Sequence, residues 1–370
     1  MQGFAELHRA VVYGRAGGRI IWQPRIGAWY KDREFAGVPL PAPYTGLSRF
    51  DLYRALGCSA RLYEYGRCFV RIEDPRVVRR ETSLNATDTQ VTMDTPVGRQ
   101  TEVLRSSPNS PRYRRLKWSI ASEQEMRVAI WREEHASWKW DKQEYERLNA
   151  EAGDLGAPAI NTPRHNIQDL YLNSMGVENT VYALYDYPDT CEAYFRAHND
   201  SLARMIEVIN PSPIEIINLG DNLHGGTLPP KLFAKHLLPV YQEHAELLRR
   251  AGKFVCSHWD GDTKPLLPFA RETGLDGIEA ITPVPQGDVT LEEVRAALGD
   301  EMVLMDGIPA ILFDEMYPVR ELVDCARRVI DLFAPRLVLG ISDEISSSGD
   351  IERILVIRDM VEEYNSRRVQ

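Results

Sequence analysis

Phe254-Val255-Cys256-Ser257 running into His258-Trp259-Asp260-Gly261 is the stretch that decides the fold. A short apolar run, suited to a buried strand, ends in residues able to do chemistry. The arrangement recurs on both sides. Ile214-Glu215-Ile216-Ile217-Asn218-Leu219 leads into Gly220-Asp221-Asn222, and Met302-Val303-Leu304-Met305 leads into Asp306-Gly307. Leu337-Val338-Leu339-Gly340-Ile341 leads into Ser342-Asp343-Glu344. Helix-like segments separate most neighbouring runs. Parallel strands alternate with helices in this way, and barrel enzymes keep their active sites at the carboxyl ends of the strands. The pattern predicts an α/β chain folded as a (β/α)8 TIM barrel.

Working outward, Ala157-Pro158-Ala159-Ile160 reads as another strand, followed by Asn161-Thr162-Pro163-Arg164-His165-Asn166. Helices are expected near 188–208, 230–251, 264–273, 290–298, 318–333 and 350–365, with Asp350 capping the last. Toward the N-terminus, Arg19–Arg25 and Arg61–Tyr65 read as the first two strands. The proline-rich stretch Lys31–Tyr44 reads as a loop or lid. Residues 70–105 break the rhythm and predict an inserted antiparallel β-hairpin. Residues 106–115 read as a loop that opens a charged, Trp-rich segment running to 150 and helical from 121. The expectation is one barrel domain over residues 1–370, with an N-terminal extension and the hairpin.

Composition narrows the partners. A formal charge of −10, with no basic stripe, argues against nucleic acid or an anionic membrane surface. No apolar run reaches the length of a transmembrane helix, and the first residues carry no signal core. Five scattered cysteines, without a CxxC pair, point to a reducing cytoplasm rather than a disulfide framework. Cys256 stands out because it lies two residues before His258.

The strand ends supply the candidate chemistry. His258 and Asp260, two apart on a strand, should share a side facing the barrel cavity, as a metal pair or as a base with its orienting acid. Asp221, Asn222 and His224, followed by two glycines, offer substrate contacts where the backbone can approach a ligand. Asp306 closes another strand, and one of Asp343 and Glu344 should face the cavity. His165, Asn166, Arg25 and Trp29 are further candidate substrate contacts.

Several of these pieces together resemble the uroporphyrinogen decarboxylase superfamily, which includes cobalamin-dependent methyltransferases. The resemblance is carried by Gly220-Asp221-Asn222, Pro230-x-x-Phe233, Leu238-Pro239-x-Tyr241, His258-x-Asp260-Gly261, Gly274-Leu275-Asp276-Gly277 and Gly287-Asp288-Val289-Thr290-Leu291. It covers roughly residues 150–365 and implies a (β/α)8 barrel. The porphyrinogen decarboxylases resemble one another in two arginines near the first strand, whereas this chain has only Arg25 there. The thiol methyltransferases share a zinc site of the form His-x-Cys plus a late Cys. Here His258 matches, Asp260 replaces the first Cys, and Ser342-Asp343-Glu344 stands at the late position. Carboxylates in place of thiolates still allow a zinc ion on His258, Asp260 and Asp343 or Glu344, and allow equally a metal-free acid–base site.

The resemblance thus implies two chemistries. The first is a methyltransferase that demethylates a small methyl ether or methylamine. His258 and Asp260 would assist the leaving group, and a separate corrinoid protein would accept the methyl group at the barrel mouth. The second is a decarboxylase of a small carboxylic acid, with Arg25 holding the carboxylate and Asp221 or Asp306 handling the proton. Either would act on a small-molecule substrate, and a homodimer is compatible with both.

Overall fold

The computed structural model describes residues 3–368. In chain order its strands are β1 (Ile21–Gln23), β2 (Phe69–Ile72), β3 (Val78–Ser83), β4 (Asp88–Thr95), β5 (Gly98–Ser107), β6 (Ser110–Lys117) and β7 (Ser137–Trp140). They continue with β8 (Ala159–Asn161), β9 (Ile216–Leu223), β10 (Phe254–Trp259), β11 (Gly277–Glu279), β12 (Val303–Pro309) and β13 (Leu337–Ser342). Seven of them form one parallel, curled sheet in the order β1-β13-β12-β11-β10-β9-β8, flanked by helices. This is a TIM-barrel-like α/β fold with extra elements.

The gap between β1 and β8 is filled by residues 59–64. Ser59 N donates to the Trp22 carbonyl, and Leu62 and Glu64 bridge Pro158 and Ile160. The second barrel strand expected at Arg61–Tyr65 is therefore an irregular segment with isolated bridges, although it sits where a strand would.

Alternation along the strands sorts the core into two shells. Ile21, Ile216, Phe254, Cys256, Val303, Met305 and Val338 fill the barrel interior, where helix α1 (Phe4–Val12) closes the bottom with Leu7, Val11 and Val12. The alternate residues, such as Val255, Trp259 and Leu339, pack outward under the helices. The helix Val319–Phe333 shows why: Leu322, Ala326, Val329, Ile330 and Phe333 fall on its one buried face. Cys256 belongs to the interior layer. Burial and the nearby Glu279 push its thiol well up, so it is a packing residue rather than a nucleophile.

Several expected elements differ. Residues 78–117 form a four-stranded antiparallel sheet, β3-β4-β5-β6, not a hairpin followed by a loop. A separate pair, β2 with β7, joins the insertion's two ends. The first six residues of the expected lid, 31–36, belong to helix α2 (Gly27–Ala36). The helix expected at 264–273 is a 3₁₀ stretch, Leu267–Thr273. The last helix begins at Arg353, and Asp350 instead accepts from Glu352 N in the preceding turn. Helix α3 (Arg49–Leu56) is capped by Ser48 and ended by Gly57 at φ 64°. Among the described residues, no helix is long and apolar enough to cross a membrane.

Candidate active site

The carboxyl ends of the barrel strands meet around two buried arginines. Arg61 donates to Glu279 Oε1 at 2.6 Å and forks onto both oxygens of Asp306 at 2.9 and 3.0 Å. Tyr63 Oη donates to Glu279 Oε2 at 2.8 Å, and Asn218 Nδ2 contacts both groups. Burial pushes the Glu279 carboxyl up, but Arg61 and Arg25 outweigh it and hold it well below the usual range. Asp306 is pushed upward instead, because burial and its neighbour Glu279 prevail over the arginines.

Backbone geometry turns Asp306 toward this cluster. Val303 and Met305 face the interior, so alternation alone would aim residue 306 at the helices. A φ of 88° at Asp306 and of 104° at Gly307 breaks the alternation. A positive φ at a residue with a side chain costs about 1–3 kcal/mol, and the fork with Arg61 holds it there.

Arg25, just beyond β1, occupies the middle of the mouth. Its guanidinium lies 3.4 Å from His258 Nδ1, 3.3 Å from Glu279, 3.5 Å from Asp343 and 3.9 Å from Glu344. His258 Nδ1 is also 3.8 Å from Glu279. Glu344 accepts from Ala28 N in the first turn of α2, where a helix start favours negative charge.

This arrangement overturns the zinc expectation. Among the described residues, no group of three or more His, Cys, Asp or Glu side chains is arranged to hold a metal ion. Of the expected set, His258, Asp343 and Glu344 surround a guanidinium, which sits where the cation would. Asp260 lies past the end of β10 and enters no ion pair with them, its amide donating to the Leu223 carbonyl. The donor set does not fit zinc.

A second network lies beside the first. Asp221 accepts from His165 N at 2.7 Å, His165 Nδ1 at 2.8 Å and Tyr241 Oη at 2.7 Å. Tyr241 reaches Ser257, and His165 Nε2 reaches His244 Nδ1 at 3.0 Å. Burial drives the His244 pKa down to about 2, so it stays neutral. The pairing of β9 with β10 shifts between Ser257 and His258, and this bulge places Asp221 between the sheet and the helix Leu238–Arg250. Gly220 is required there, since a Cβ would stand 1.9 Å from the Thr162 carbonyl oxygen.

Two chambers open at the mouth and share Arg25, Tyr63 and Asn161. The smaller, about 200 Å³, also takes in Arg164, Asp221, Asn222, His258 and Asp343. The larger, about 540 Å³, is lined by six cations and three carboxylates. Arg49 pairs with Glu64 there, while Arg25 and Arg61 serve the acid cluster. Lys31, Arg67 and Arg112 have no carboxylate within ion-pair distance among the described residues.

The remaining sequence candidates sit elsewhere. Trp29 is buried and donates from Nε1 to the Gly349 carbonyl. Asn166 is buried against the His236 carbonyl. His224 lies outside both chambers, 3.8 Å from Asp262. Arg61, Tyr63, Glu279, Arg164 and Arg112 were not singled out in the sequence. Glu279 ends a strand as Asp306 does and was open to the same reasoning. The arginines offer no local signal.

Comparison with known proteins bears on the fold and the family. A methyltransferase from Methanosarcina mazei superposes over 96% of this chain and 97% of its own, with a TM-score of 0.56 at 10% identity. A GH18 chitinase from Flavobacterium johnsoniae aligns over 62% of this chain and 82% of its own, at 8% identity and a TM-score of 0.37. At these identities the first speaks for the fold alone, and the second is too distant to argue from. No curated protein matches the sequence. The profile of the uroporphyrinogen decarboxylase (URO-D) family matches residues 170–364, more than half the chain, from the helix after β8 through the last helix. The chain belongs to the uroporphyrinogen decarboxylase family.

Proposed function

We propose that this chain is a carboxy-lyase acting on a small organic acid in the two-chambered mouth. The observation that carries the reading is the larger chamber's charge: Lys31, Arg67 and Arg112 face it without partners. All three are exposed to solvent, and cations grouped without counter-charges favour an anionic ligand. The substrate carboxylate binds there, within reach of Arg25 at the junction with the smaller chamber. The carbon–carbon bond breaks, its electron pair stays on the substrate carbon, and CO2 departs. His258, set between Arg25 and Glu279, returns a proton to that carbon. Glu279 and Asp306 fix Arg61 and Arg25 in place rather than touching substrate. Methyl transfer to a corrinoid protein relied on His258 and Asp260 acting together, and Asp260 lines neither chamber.

The test is CO2 release from a panel of small mono- and dicarboxylic acids, paired with calorimetric binding of the same acids. Turnover should fall at least a hundredfold in His258→Gln while binding persists. A combined Lys31→Ala/Arg67→Ala/Arg112→Ala variant should bind roughly tenfold or more weakly, from lost charged hydrogen bonds. If no acid is turned over, and the triple variant binds anions as well as the parent does, the reading fails.

A further inference from the structure

The cationic chamber continues outward. A groove of about 630 Å³ runs between α2 and the turn joining β5 to β6, and it shares Asp32, Pro111 and Arg112 with the chamber. Its wall presents Phe35 and Val38, which are 43% and 47% exposed. Large apolar side chains grouped beside polar ones mark binding surfaces. The polar part of its lining includes Arg33, Asn109 and Arg112, and Arg112 is a cation without a carboxylate partner that lines both spaces. Asp32, which accepts from Ser347 Oγ at 2.5 Å, is not within ion-pair distance of it.

We propose that this groove is a second subsite of the candidate active site, which takes the apolar arm of the acid whose carboxylate rests in the cationic chamber. The inference rests on the carboxylate reading above and names the substrate class more closely: an organic acid with an aliphatic or aromatic arm. Continuity and charge identify the occupant. A ligand spanning the two spaces must carry an anionic end toward Lys31, Arg67 and Arg112 and an apolar end toward Phe35 and Val38. The apolar contacts come from α2 and the residues just after it, and one cationic contact comes from Arg112 on β6. The inserted sheet therefore takes part in choosing the substrate.

The experiment measures binding of acetate, butyrate, hexanoate and hexanol to the full chain by calorimetry. The variants are Phe35→Ser/Val38→Ser and, separately, Arg112→Ala. Phe35 and Val38 are exposed enough that serine should leave folding intact. Affinity should rise roughly fourfold per methylene group that enters the groove. Phe35→Ser/Val38→Ser should flatten that rise and leave acetate unchanged, and Arg112→Ala should weaken every acid. Acids that bind with no dependence on length, or a length dependence that survives Phe35→Ser/Val38→Ser, would overturn the groove as a subsite. Hexanol binding as tightly as hexanoate, with Arg112→Ala having no effect, would instead remove the carboxylate-binding role of the cationic chamber on which the groove's assignment rests.

Discussion

Arg61→Met removes the nearer of the two guanidinium groups that compensate two buried acids, and leaves Arg25 at 3.3 Å from Glu279 and 3.8 Å from Asp306. In the native protein the Arg61 guanidinium bonds Glu279 at 2.6 Å and Asp306 at 2.9 and 3.0 Å, and all three side chains are shielded from water. Deleting one partner of a buried ionic cluster costs about 3–5 kcal/mol, because the remaining charges lose their compensation. At about 2.1 cal/mol/K per residue, a chain of 370 residues has an unfolding entropy near 0.8 kcal/mol/K. The expected loss is therefore roughly 4–6 °C in melting temperature at pH 7. The pH dependence separates charge from packing. Glu279 is held well below its ordinary range in the native protein. Its contribution is thus present above the unfolded value of about 4.3 and is lost only as pH falls through the depressed one. Between pH 7 and 5 it gives the parent no slope. In Arg61→Met only Arg25 still faces the two acids, so Asp306, already pushed upward, should rise further, and lowering the pH lets it take a proton and stability recovers. The measurement is a circular-dichroism melt of both proteins at pH 7 and pH 5. A deficit below about 1 kcal/mol at pH 7, or one that is unchanged at pH 5, would refute the charge argument.

Two further changes test the surrounding networks. Burial opposes a charge on His198, but Glu133 prevails and raises its pKa to about 9 from an ordinary 6.5. That pair should stabilise the fold by up to about 3 kcal/mol below pH 6.5, and the contribution should disappear as pH rises through about 9. Urea denaturation across this window should show the slope in the parent and a flatter profile in Glu133→Gln; equal slopes would exclude the pair as its source. Asp221→Asn turns an amide donor toward groups that already donate, His165 and Tyr241, and should cost roughly 2–4 kcal/mol in urea. A cost below about 0.5 kcal/mol would mean that the carboxylate does not organise this network.

The barrel was legible because its strands carry their own signal. Phe254–Trp259 alternates faces, ends in polar residues and is followed by a helical segment, and the other strand ends repeat the arrangement. The insertion was harder to read. Ser110–Lys117 (Ser-Pro-Arg-Tyr-Arg-Arg-Leu-Lys) has no apolar alternation and is almost wholly exposed. It is a strand because the main chain of β5 pairs with it, an interaction without a side-chain signature. Residues 61–65 mislead in the opposite sense. They look like a strand and occupy a strand's place, yet make only isolated bridges.

The site shows where local spacing stops being informative. His258 and Asp260 share a face only while the strand continues, and β10 ends at Trp259. The acids at the strand ends looked like metal ligands or catalysts because nothing nearby in sequence neutralises them. Their counter-charges arrive from Arg25 and Arg61, more than 200 residues away for Glu279 and Asp306. Once those arginines are placed, Glu279 and Asp306 become the frame that holds two guanidinium groups in a dry interior. The uncompensated charge of the mouth then belongs to cations, on α2, after Gly66 and on β6. A chain of net charge −10 thus lines one pocket with six cations against three carboxylates. Overall charge constrains which large surfaces a protein meets, whereas the choice of a small substrate follows from the few charges that folding leaves unpaired.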